Sequence, residues 1–114
     1  MVRVLDFIRS LITNKRNFFS LKRSGKWSTV RQRHLNENPN CAVCNCKKDL
    51  SVHHCIPVHI DPSKELDPKN LITLCEKNNC HFAFGHLYNW STYNLSVRED
   101  AAKWLNKVKN RTLK

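Results

Sequence analysis

In the run Ser51-Val52-His53-His54-Cys55-Ile56-Pro57, two histidines stand side by side in a strand-like stretch. Side chains alternate along a strand, so His53 and His54 point to opposite faces. One can bind a metal while the other remains available as a base. The run is bracketed by Cys41-x2-Cys44 and by Cys75-x4-Cys80, with His81 directly after the last cysteine. Thiolates at C-x2-C grip a tetrahedral ion from one tight turn, and a second pair completes a four-thiolate shell. Cys41, Cys44, Cys75 and Cys80 fit a structural zinc site, although the second pair is wider than usual and Cys46 lies close enough to replace Cys44. Cys55 reads as a small buried hydrophobe.

A chain of 114 residues has room for one domain and a modest core. A core of this size commonly needs a staple such as a structural metal. No run is long and apolar enough to span a bilayer. The start, Val2-Arg3-Val4-Leu5-Asp6-Phe7-Ile8-Arg9, is broken by charge too early for a secretory signal. The expected location is therefore the cytoplasm, where six cysteines read as metal ligands rather than disulfides. Charge is uneven: residues 1–40 carry +7, residues 41–95 are neutral, and residues 96–114 carry +4 of the total +11. A neutral ligand-bearing segment between basic flanks suits a protein that grips phosphates, because Lys and Arg release counterions whatever the base sequence. Lys22, Arg23, Lys26, Arg31 and Arg33 are candidate DNA contacts.

Helical spacing of Val4, Leu5, Ile8, Leu11 and Ile12 predicts an amphipathic helix over 3–13. Trp27, Val30, Arg31, His34 and Leu35 predict a second helix, ending before Asn36-Glu37-Asn38-Pro39-Asn40. Leu50 to Ile56 reads as a strand that Pro57 ends, and Asn70 to Leu74 as another running into Cys75. A helix is expected from His81 to Trp90, interrupted at Gly85. Ser96-Val97-Arg98-Glu99 fits a capping box, followed by a stripe of Val97, Ala101, Trp104, Leu105 and Val108 on a final helix. The expected organisation is one α+β domain with three parts: a basic helical extension (1–40), a core (41–95) and a C-terminal helix (96–114).

Taken in order, Cys-x2-Cys, Val-His-His-Cys-Ile-Pro, Asp-Pro-Lys-Asn-Leu-Ile-Thr-Leu-Cys and Cys-His resemble the HNH endonucleases, over about residues 41–90. The resemblance implies a ββα-metal core, two strands and a helix around one divalent ion, here with a four-cysteine zinc site and flanking basic amphipathic helices. Position by position it implies that His53 and His81 ligate the catalytic metal. His54 would be the general base, and Asn70 would hydrogen-bond the backbone of the His54 loop to hold the imidazole in line. His86 falls five residues after His81, not four. Either Gly85 ends or bulges the helix and lets His86 reach the metal, or His86 contacts phosphate.

The chemistry needs this division of labour. Phosphodiester hydrolysis takes an activated water on one side of phosphorus and charge stabilisation at the departing oxygen on the other. A neutral imidazole supplies the first and a divalent ion the second. Mg²⁺, Mn²⁺, Ni²⁺ and Zn²⁺ are all compatible with histidine and water ligands. The resemblance further implies duplex DNA as substrate, weak sequence preference, and a phage setting in a host cytoplasm. There it implies terminase subunits as partners in genome packaging. A monomer or weak dimer is expected. The alternative reading is a non-catalytic zinc-stabilised module that binds DNA or protein.

Overall fold

The computed structural model of the chain describes residues 24–112. The helix expected over 3–13, the basic stretch after it and the candidate contacts Lys22 and Arg23 lie outside those residues. Among the described residues the order is α1 (Trp27–Glu37), β1 (Leu50–His54), 3₁₀ turns at Pro62–Lys64 and Pro68–Asn70, β2 (Leu71–Cys75), a π-helical turn (His81–Gly85) and α2 (Val97–Thr112). The architecture is α+β, with a two-stranded antiparallel sheet at its centre.

The register pairs His53 with Ile72 and His54 with Leu71. Directly opposed residues share a face of the sheet, so His53, Ser51, Ile72 and Leu74 line one face and His54, Val52, Leu71 and Thr73 the other. The π-helical turn covers the first face, where Gly85 lies against the His53 ring. Helix α1 lies over the second. Its Trp27 ring sits 4.6 Å from that of His54, and the Thr73 hydroxyl donates to the Asn38 carbonyl at 2.8 Å. His34 is the buried residue of α1.

Strand β1 stops at His54, two residues short of the expected Ile56. Asn70 is the reason. Its carbonyl takes the Cys55 N–H at 2.7 Å, and its side chain takes both backbone groups of Ile56, so ladder pairing gives way to a side-chain clamp. The helix expected to run to Trp90 likewise ends early, because Leu87 and Tyr88 adopt positive φ of 54° and 66°.

The core is small. Among the described residues its main cluster has nine buried members, including Cys41, Cys75 and Cys80 alongside Val43, Ile72, Leu74, Val97 and Ala101, so a third of that cluster is the thiol group itself. Helix α2 docks through Val97 and Ala101, and Arg98 donates to the carbonyls of Lys69 and Leu71 at the sheet edge. The apolar stripe expected on α2 is only partly covered: Trp104, 6.1 Å from Phe84, stays 47% exposed and Val108 40%. At its start Asn94 accepts from the Ser96 N–H and donates to Asp100. The expected Ser96–Glu99 capping box is not among the bonds of the described residues.

Candidate metal centres

Cys41, Cys44, Cys75 and Cys80 bring four Sγ atoms within 4.8 Å of one another. A tetrahedral ion with Zn–S bonds of about 2.3 Å requires sulfurs roughly 3.8 Å apart. Cys44 and Cys75 stand at 3.6 Å. The donor set fits zinc. Positive φ at Asn45 and Asn79, residue types that tolerate it, folds each knuckle back on itself. Burial works against a thiolate at Cys44, yet bonds from Asn78 and the Cys46 backbone bring it down to about 7. Burial pushes Cys75 up to about 11. A bound cation would reverse that preference by taking the thiolate directly. Cys46 lies outside the four and is engaged with the backbone of Lys48.

The second cluster joins three histidines. One ring nitrogen each of His53, His81 and His86 lies within 4.8 Å of the others. Their ring centroids are 5.1, 5.0 and 4.9 Å apart. In an α-helix, residues five apart do not share a face. A π-helix closes its bonds over five residues, and this is the geometry of His81–Gly85. His86 therefore comes round beside His81. The structure brings His86 to the histidine cluster.

The hydrogen bonds fix the tautomers. His81 donates Nδ1–H to Glu76 at 2.8 Å, and His86 donates Nδ1–H to the Thr92 carbonyl at 2.7 Å. Each bond leaves Nε2 with its lone pair. His53 Nε2 is buried and has no hydrogen-bond partner, an orphan that a metal would satisfy. Burial, reinforced by His81 and His86, pushes His53 down to about 3, so its ring stays neutral and able to ligate. Burial also lowers His86, against the opposing pull of its Thr92 bond. Three imidazole donors leaving other positions open suit a catalytic divalent ion.

On the other face, His54 Nε2–H donates to the Glu65 carbonyl at 2.9 Å. That tautomer puts the proton-accepting lone pair on Nδ1. Asn70 holds the loop that carries Glu65: its Nδ2 donates to Ile56 O at 3.0 Å and Lys64 O at 3.2 Å, while Oδ1 accepts from Ile56 N at 2.8 Å. Asn70 is 5% exposed, so these bonds face no competition from water. Among the candidate DNA contacts, Lys26 precedes α1 as its N-cap, while Arg31 and Arg33 lie on the helix. Lys26 and Arg33 are exposed and Arg31 half-buried.

Two residues of this centre were missed in the sequence. Glu76 accepts from His81 and from the Ser51 hydroxyl. Burial alone would raise its carboxyl, but these bonds hold it below the usual carboxylate range. A carboxylate behind a metal-binding histidine orients the ring and raises its basicity. Its one signal was an acid placed between Cys75 and His81. Gly85 was read as a break in a helix. Its structural demand is space: a Cβ there would stand 2.9 Å from His53 Cε1.

Residues 41–85 match the family model described as HNH endonuclease. That segment holds both cysteine pairs, His53, His54, Asn70, His81 and Gly85, and it is an HNH domain. Comparison with curated proteins and with solved structures gave no match.

Proposed function

From an HNH domain over residues 41–85, we propose that this protein is a divalent-metal-dependent endonuclease hydrolysing phosphodiester bonds of double-stranded DNA with little intrinsic sequence preference. The observation that carries the reading is the pairing of His53 and His54. One ring joins a three-histidine cluster, while its neighbour is held in a single tautomer by Glu65.

His53, His81 and His86 would hold the catalytic ion. When bound, it supplies charge stabilisation at the phosphate and the departing oxygen. His54 Nδ1 takes a proton from the attacking water, and the Glu65 carbonyl steadies the resulting imidazolium through Nε2–H. Asn70 positions that carbonyl by anchoring Lys64 and Ile56. Glu76 keeps His81 in register. The thiolates of Cys41, Cys44, Cys75 and Cys80 hold structural zinc. Basic residues outside the domain, among them Lys22, Arg23, Lys26, Arg31 and Arg33, grip the duplex backbone. Assistance to a phage terminase during genome packaging follows from the sequence resemblance and belongs to the same proposal. No helix of the described residues is long and apolar enough to cross a membrane.

Cleavage of supercoiled plasmid across Mg²⁺, Mn²⁺, Ni²⁺ and Zn²⁺, wild type against His54→Ala, tests this reading. The expected result is metal-dependent nicking that falls at least about a hundredfold in the variant, with zinc content unchanged. Plasmid binding without cleavage in every metal would replace the nuclease with a zinc-stabilised binding module.

A further inference from the structure

The turn that follows the last histidine of the cluster has a chemistry unlike the rest of the protein. Residues 82–95 contain no Lys, Arg, Asp or Glu, in a chain of net charge +11. Within this stretch Leu87 is 54% exposed, Tyr88 69% and Trp90 44%. Leu87 and Tyr88 both hold positive φ, where glycine or asparagine ordinarily ends a helix. Two bulky residues in that conformation lower stability without gaining burial, which is the pattern of residues retained for what they touch.

The turn is also packed against the histidines. The Trp90 ring packs 4.8 Å from that of His86 and 5.2 Å from that of His81. Tyr88 meets Phe82 edge-on at 5.6 Å. Thr92 fastens the base of the turn, its hydroxyl bonded to the carbonyls of His86 and Asn89 and its N–H to Asn89 O at 2.8 Å. A phosphate at the histidine cluster would therefore lie beside Trp90, in the same turn as Leu87 and Tyr88.

These tips carry no charge to draw a phosphate. They match the faces of bases, on which aromatic rings stack with little regard to sequence. In duplex DNA, apolar wedges of this kind enter between base steps and partly unstack them. We propose that Leu87–Trp90 is a base-contacting wedge, with Tyr88 and Leu87 at its tip, that favours DNA whose bases are already unstacked beside the cut. Mismatched, bulged and single-stranded sites supply such bases, because unstacking is then already done. This inference rests on the nuclease reading and narrows its substrate class.

The test uses the full chain carrying His54→Ala, so that DNA binds without being cut, and two oligonucleotide duplexes. They are identical except that one carries an unpaired 2-aminopurine. The expected result is about tenfold tighter binding to the bulged duplex, with a change in 2-aminopurine fluorescence as the base stacks on the protein. Adding Tyr88→Gly should abolish both the preference and the fluorescence change, and Leu87→Gly should reduce them. Glycine suits the positive φ at both positions, so neither variant strains the backbone, and thermal unfolding checks that both fold. An unchanged preference in both folded variants, or equal binding to the two duplexes, overturns the wedge. If the wild type cleaves plasmid nonetheless, only the wedge fails. Absence of both DNA binding and cleavage removes the nuclease reading with it.

Discussion

Gly85→Ala sets two magnitudes against each other. Alanine is the better helix former by up to about 1 kcal/mol, so on propensity alone the variant is more stable. The added Cβ, however, stands 2.9, 3.1 and 3.2 Å from three atoms of the His53 ring, where ordinary contact begins at 3.4 Å. The ring must retreat by roughly half an ångström. It is 4% exposed and packed against His81 and His86, so its retreat disturbs the cluster. Overpacking of this kind costs about 1–3 kcal/mol, which leaves a net destabilisation of roughly 0–2 kcal/mol. The larger effect falls on the metal. Metal–nitrogen bonds tolerate departures of only about 0.2 Å, and displaced supporting geometry costs about 10–100-fold in affinity. Isothermal titration of the zinc-loaded protein with a divalent ion should show that loss, alongside a melting temperature lowered by only a few degrees. Gly25→Ala, where nothing lies within 4 Å, is the matched control and should leave both quantities unchanged. A Gly85→Ala protein binding metal within twofold of wild type would refute the reasoning, because the ring would have moved without consequence.

Glu76→Ala should weaken divalent-ion binding about 10–100-fold and Glu76→Gln less, since glutamine still offers His81 an acceptor; equal losses would mean that the negative charge rather than the bond matters. For His53 the folded protein without the catalytic ion holds the ring near 3, below its ordinary 6.5. The unfolded chain thus binds the extra proton, and the stability present above 6.5 is lost as pH falls toward 3. Between pH 6.5 and 5.5 wild type should lose about 1 kcal/mol more than His53→Asn by urea unfolding, and parallel pH dependences would count against a buried neutral ring. Stripping zinc with a strong chelator should unfold the protein, as should Cys75→Ser, because the thiol group is a third of the main buried cluster among the described residues. Retention of far-UV circular dichroism and a cooperative melt after complete zinc removal would contradict this.

What the sequence disclosed, it disclosed through spacing. The cysteine pairs and the adjacent histidines each have a fixed geometric meaning, so the thiol cluster and the opposed faces of β1 were legible. Asn70 was placed by resemblance, and the bonds that end β1 at His54 show why the strand is shorter than its residue types suggest. His86 stayed ambiguous because helical periodicity assumes α geometry, and only a π-helical turn brings residues 81 and 86 together. Glu76 escaped because its partner lies across a turn whose path depends on Asn79 at positive φ. On α2, periodicity gave the stripe of Trp104 and Val108 but not what covers it. The helix over 3–13, with Lys22 and Arg23, falls outside the described residues.

The turn from Cys75 to His81 serves two clusters at both of its ends. Cys75 and Cys80 face the thiol group, while Glu76 and His81, each one residue further on, face the histidine group. Such interleaving leaves the segment a single admissible length. One residue inserted or deleted between 77 and 79 shifts a thiol and an imidazole together, so no compensating slip restores one without losing the other. Variation in this protein should therefore appear as substitution within the turn and never as a change in its length.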